Sequence, residues 1–345
     1  MLKHGGDRVG FMERYGVRPL DFSANVSPLG MPEGVREAAA EALADSAAYP
    51  DPLCRALRGA LSDRLHVAQE KILCGAGAMD LVYRLVAARK PAGALVTAPA
   101  FSGYEEALAF SGCGVSRFPL DGDFRLTEDI AGRITDRTEL VFLCQPNNPS
   151  GVTVPADLLH EILDRCTAAG ALLVLDECFL EFLDDPGSCT LLPRLDSGNL
   201  LILRAFTKFY GMAGLRLGYC LCADTDLLGR MQLAGPVWGV SNVAQAAGLA
   251  ALREDGYAAR LRTLIRRERP RLARALRELG LRVVPGEANF LLFRADASLG
   301  QRLAQRGILL RDCRDMHGLG PGWYRTAVRT PEENDRLTAA LKEVL

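Results

Sequence analysis

Between about Lys71 and Tyr219 the chain alternates short apolar runs with amphipathic stretches. The runs are "ALVTA" at 94–98, "LVFLC" at 140–144, "ALLVLD" at 171–176 and "LLILR" at 200–204. They are near-continuous in hydrophobicity, as expected of strands covered on both faces. The stretches between them, such as "SGYEEALAFSG" and "PADLLHEILDRCTAAG", read as helices. Strands alternating with helices predict a mainly parallel sheet flanked by helices, an α/β architecture. Past Tyr219 the texture changes. A long arginine- and leucine-rich helical pattern runs from about Tyr257 to Gly280. It is followed by short strands in "LRVVPG" and "ANFLLFRA", a helix in "SLGQRLAQRG", a strand in "WYRTAVR" and a last helix from Pro331. This predicts a smaller α+β domain. The N-terminal "DFSANVSPLGMPEGV" carries proline and glycine turn signals and is expected to cross back to it. The expected division is a large domain over 35–255 and a small one made of 1–34 with 256–345.

Composition narrows the function classes. With 345 residues, 49% of them hydrophobic, the chain is long for one core and ample for two. A net charge of −1 offers no surface for a polyanion, so nucleic acid is not an expected partner. The one basic run, "RRERPR" from Arg266 to Arg271, is interleaved with Glu268 and Pro270 and reads as a solvated helix face. No run approaches the ~18 apolar residues of a membrane span, and "MLKHGGDRVG" lacks the apolar stretch of a signal peptide. A cytoplasmic protein without a membrane partner is expected. The ten cysteines include Cys74, Cys144, Cys166, Cys220 and Cys222 inside apolar segments, as buried free thiols would be. No C-x-x-C pair occurs and the four histidines are far apart, so no metal site is expected.

In a doubly wound sheet, ligands sit outside the carboxyl ends of the strands. "LVFLC" is followed by Gln145-Pro146-Asn147-Asn148-Pro149-Ser150-Gly151, and "ALLVL" by Asp176-Glu177. "LLILRAF" is followed by Thr207-Lys208, and "KILC" by Gly75-Ala76-Gly77-Ala78-Met79-Asp80. The glycine turn lacks the third glycine of a dinucleotide fingerprint, since Asp80 stands there, and no strand-end acid follows at the ribose distance. What survives is a helix N-terminus able to hold one phosphate, or a plain tight turn. Asp176 would cost several kcal/mol if buried unpaired, so it is either a helix N-cap for "ECFLEFL" or the partner of a buried cation. Lys208 is either a surface lysine or an amine kept neutral by apolar surroundings and hence nucleophilic. Thr207 and Arg216 offer a hydroxyl and a fixed cation to an anion. An amine, an acid for a ring nitrogen, a donor for a phenolic oxygen and a phosphate cup are together what pyridoxal 5'-phosphate requires.

On "PNNPSG", "LDE", "TKFYGMAGLRLGY" and "YRTAVR", in this order and over nearly the whole chain, the sequence resembles the fold-type I aminotransferase superfamily. The resemblance implies that Lys208 bonds the cofactor and Asp176 partners its pyridinium nitrogen. Asn148 would hold the phenolic oxygen. Gly77, Ala78, Met79, Thr207 and Arg216 would form the phosphate site, and Phe101 would stack on the ring. Tyr49, in "YPDP", would be lent by the other subunit of a homodimer, and Arg325 would bind the substrate α-carboxylate. Within the superfamily, "HGGD", "DFSANVSPLGMP", "TKFY" and "ILLRDCRDMHGLGPGWYRTAVR" look more like the threonine-phosphate decarboxylases of cobalamin biosynthesis than the histidinol-phosphate aminotransferases. In "DECF", Phe179 stands where the aminotransferases commonly carry a tyrosine that donates to the phenolic oxygen. The implied reaction is decarboxylation of O-phospho-L-threonine, with phosphoserine decarboxylation or transamination of histidinol phosphate as the alternatives. His4, Asn25, Asn148 and Arg311 join Arg325 as candidate substrate ligands. "GAGAMD" lacks the acidic or hydroxyl residues often found there, which limits it to backbone contacts with a phosphate. A ligand-sensing regulator is a third reading. The intact lysine, acid and arginine set argues against it, as does the lack of a helix-turn-helix stretch before the first fold motif.

Overall fold

A computed structural model describes residues 5–345, so His4 lies outside the described residues. Seven strands form the central sheet. In spatial order they are Ile72–Gly75, Gly218–Cys222, Leu200–Ala205, Leu172–Asp176, Leu140–Cys144, Gly93–Ala98 and Gly114–Pro119. Gly218–Cys222 runs antiparallel to both its neighbours, and the other pairings are parallel. The four apolar runs are strands to within one residue.

Their unbroken hydrophobicity has a direct cause. Successive side chains of a strand point to opposite faces, and here both faces are covered. Leu173, Leu175, Ile202 and Leu221 feed one buried cluster, while Leu172, Val174, Leu201 and Leu203 feed another on the opposite face. Two strands carry weaker signals. Gly114–Pro119 is an edge strand with only Phe118 buried, so it needs no apolar run. Gly218–Cys222 sits where the family-like glycines interrupt the hydrophobic pattern, yet all five of its residues are buried.

A second, antiparallel sheet has the order Arg311–Asp312, Trp323–Ala327, Phe290–Arg294 and Arg282–Val283. The long helix Tyr257–Glu278 and the last helix, Pro331–Val344, pack on it around a separate cluster that includes Leu272, Phe290, Phe293 and Leu337. Leu20–Asp21 pairs in parallel with Ile308–Leu309. The basic run is not purely a solvated face. Glu268 is buried and accepts hydrogen bonds from Arg271 Nη2 at 2.6 Å and Asn334 Nδ2 at 3.0 Å, tying the two helices together. These donors hold its carboxyl below the usual range, although burial alone would raise it. No helix among the described residues is long and apolar enough to cross a membrane.

Candidate active site

The strand Leu200–Ala205 runs straight into one helical turn, Phe206–Phe209, which carries Thr207 and Lys208 at the carboxyl edge of the sheet. Ser27 N–H donates to the Lys208 carbonyl at 2.9 Å, so the N-terminal segment crosses directly over this turn. Burial, then the charge of Arg325, lowers the ammonium pKa of Lys208 from its usual value; Cys178 and Asp176 oppose this only in part. The amine takes no hydrogen bond from any described residue.

Cys144 lies directly opposite Asp176 in the parallel register, which sets the acid beside the turn that holds Asn147 and Asn148. The Asp176 carboxylate is buried and doubly held. Its Oδ1 accepts from Cys178 N–H at 2.9 Å, and its Oδ2 accepts from the Tyr104 hydroxyl at 2.5 Å. Both readings of Asp176 therefore apply: it caps a turn and it sits in the interior. The segment it caps is not the expected helix but a short 3-10 turn, Leu180–Phe182. Tyr104 escaped the sequence reading. Its only signal is its place three residues after Phe101, on the buried side of the helix Gly103–Phe110.

Gly77, Ala78 and Met79 start the helix Ala78–Arg89, whose N-terminus has no side-chain cap. Gly77 has φ +94°, and a Cβ there would lie 2.6 Å from Arg216 Nη2. Only glycine lets the guanidinium close on this turn, where Arg216 donates to the Ala76 carbonyl at 3.4 Å. Asp80 turns back to accept from Ala76 N–H at 2.9 Å and Arg84 Nε at 3.0 Å. Phe101 packs edge-on to Tyr104, with ring centroids 5.5 Å apart. A Cβ on Gly103 would meet Phe101 at 2.6 Å and Met79 Sδ at 2.9 Å, so this glycine lets the ring approach the cup.

Arg325 joins the second sheet to this edge. It is buried, its Nη1 donates to Asn148 Oδ1 at 2.5 Å, and its Nη2 donates to the Ser23 carbonyl at 3.0 Å. Burial lowers its pKa to about 10, with neighbouring Arg311 adding to the effect, and it stays a cation at neutral pH. Arg311 stands directly across from it in the strand register and is paired with Asp315 at 2.9 Å. Asn25 is buried with neither amide atom hydrogen-bonded, and the Asn289 side chain donates to its carbonyl at 3.2 Å. Phe179 packs edge-on to Phe290 at 5.0 Å. Tyr49 lies apart from this cluster. It is 77% exposed and stacks on the half-exposed ring of Trp238 at 4.2 Å.

The pattern described as aminotransferase class I and II matches residues 17–341. The chain belongs to that family. A threonine-phosphate decarboxylase of Salmonella typhimurium is 38% identical, over 99% of this chain and 96% of that protein. Histidinol-phosphate aminotransferase 1 of Cupriavidus pinatubonensis is 35% identical, over 94% and 88%. The crystal structure of histidinol-phosphate aminotransferase from Sinorhizobium meliloti in complex with pyridoxal-5'-phosphate superposes with a TM-score of 0.88 at 27% identity, covering 98% of this chain and 94% of that one. The fold is that of fold-type I enzymes, and the cofactor of the family member described here is pyridoxal 5'-phosphate. The residues present fit it. An unpaired amine, a buried carboxylate and an uncapped helix N-terminus beside Arg216 are the three features it needs.

Proposed function

We propose that this protein decarboxylates O-phospho-L-threonine to aminopropanol phosphate and carbon dioxide, as a step of cobalamin biosynthesis. Phe179 carries the choice between the family's reactions. Its ring is buried against Phe290 and has no donor where the aminotransferase pattern commonly places a tyrosine hydroxyl. The relative at 38% identity supports the same reading.

When bound, the cofactor supplies an acceptor for the electron pair released at Cα. The chain's own residues do the rest. Lys208 bonds the cofactor and, once displaced, carries a proton to Cα. Asp176 keeps the ring nitrogen protonated, Asn148 holds the phenolic oxygen and Phe101 stacks on the ring. Gly77, Ala78, Met79, Thr207 and Arg216 hold the cofactor phosphate. Arg325 grips the substrate carboxylate, and His4, Asn25 and Arg311 serve the substrate phosphate. Two fixed anion grips decide which bond at Cα stands perpendicular to the ring, and only that bond breaks. Supplied with phosphothreonine, the enzyme is expected to release carbon dioxide and aminopropanol phosphate. Glutamate from histidinol phosphate and 2-oxoglutarate, with no carbon dioxide from phosphothreonine, would make it an aminotransferase, the reading favoured by its structural likeness to one.

We further propose a homodimer in which Tyr49 reaches the neighbour's cofactor phosphate, and the two-part division at 35–255 and 1–34 with 256–345. Tyr49, Trp238, Leu43, Leu53 and Val237 are all exposed, an apolar set that a second subunit would cover. Tyr49→Phe is expected to weaken cofactor retention by about 1 kcal/mol, the worth of one hydrogen bond. Equilibrium release of the cofactor checks this, and a fully active monomer in light scattering would sink it.

A further inference from the structure

We propose that Tyr104 is a positioning residue for Asp176, holding the carboxylate ionised and oriented so that the shared proton stays on the cofactor's ring nitrogen. The inference rests on the assignment of Asp176 to that nitrogen.

The geometry is specific. Tyr104 is fully buried, with its ring stacked on Phe142 at 5.1 Å and 20° and held edge-on by Phe101 at 83°. That grip leaves the phenol one place to go, and its hydroxyl meets Asp176 Oδ2 at 2.5 Å. Burial and the Asp176 charge push the phenol pKa well up, so Tyr104 remains a donor throughout the working range. The opposite oxygen is fixed by a main-chain donor, Cys178 N–H. The carboxylate is thus held at both ends, and its plane cannot rotate without breaking a bond.

The energetic consequence has a definite sign. A donor to the charged form stabilises the anion and makes it a weaker base. In a carboxylate–pyridinium pair the single proton then lies further toward nitrogen. Without the Tyr104 hydroxyl, Asp176 Oδ2 loses its only described donor in a dry site, the carboxylate becomes more basic, and the proton moves toward oxygen. Phe101 touches Tyr104 as well, so one short segment would control both the face and the electronics of the ring.

The test reads the proton, not the rate. Holoenzyme is prepared with pyridoxal phosphate labelled with nitrogen-15 at the ring, and the chemical shift is compared at one fixed pH. Wild type is expected at the pyridinium end, and Tyr104→Phe is expected to move toward neutral pyridine. Turnover should fall roughly 10- to 100-fold, as for a lost hydrogen bond to a charge, while KM changes little. If Tyr104→Phe fails to fold, para-aminophenylalanine at position 104 keeps the shape with a weaker donor, and the shift should move part of the way. An unchanged pyridinium shift in either folded variant would overturn the proposal. A wild-type ring nitrogen that is not protonated would instead defeat the Asp176 assignment. A different product from phosphothreonine would defeat the reaction assignment while leaving the nitrogen shift untouched.

Discussion

Lys208→Ala is expected to abolish the visible absorption of the lysine-bound cofactor and its fixation by borohydride. Turnover should fall by at least about 100- to 10,000-fold, since the proton carrier at Cα is lost along with the covalent anchor. The chain makes the test clean because it holds only five lysines. Lys71 is paired with Asp196, Lys90 ends the helix Ala78–Arg89, and Lys342 lies in the last helix. Of the described lysines, only Lys208 has its pKa lowered. Peptide mapping after borohydride treatment of wild type should therefore find one labelled lysine, and a label at any other would refute the assignment. The lowered pKa also gives a stability signature. Between the folded value and the usual 10.5, the unfolded chain binds more protons than the folded one, so the cofactor-free protein gains stability as pH rises through that window. Lys208→Ala removes this slope. Its cofactor-free form should melt above wild type at neutral pH, and the gap should narrow toward pH 10.5.

The lysine was legible because a strand buried on both faces announces its own end. "LLILR" stops where Ala205 gives way to the turn, and whatever follows lies at the ligand edge of the sheet. The same logic found Asp176 and Asn148. It failed wherever a role depends on a neighbour distant in sequence. Tyr104 acts across 72 positions on Asp176, and nothing in "SGYEEAL" separates an inward tyrosine with a partner from a core aromatic. Arg325 meets Asn148 across 177 positions, and only the crossing of two sheets brings them together. Glu268 misled for the opposite reason. A glutamate among arginines looks solvated, but the closing helix Pro331–Val344 covers it and supplies Asn334 as a donor. Edge strands such as Gly114–Pro119 stayed silent because an exposed strand has no reason to be apolar.

Asp176→Asn should keep the fold and lose most turnover, on the order of 1,000-fold by the range for a positioned acid–base group. The amide is nearly the same size and can still accept from Cys178 N–H, so the turn survives. It carries no charge, so it cannot hold a proton on a ring nitrogen, and the cofactor loses its capacity to take up electrons from Cα. Near-normal rates in Asp176→Asn would reduce the acid to a turn cap, the role its Oδ1 already plays. The variant also separates two accounts of Tyr104. If Tyr104 acts through the Asp176 charge, then adding Tyr104→Phe to Asp176→Asn should cost little further activity, because there is no anion left to stabilise. If Tyr104 merely packs, the two losses should multiply. Residues in one hydrogen-bonded network typically show interaction energies of about 0.5–3 kcal/mol, large enough to tell these outcomes apart in kcat. Strong non-additivity is the expected result, since the bond from Tyr104 ends on the one oxygen whose charge the substitution removes.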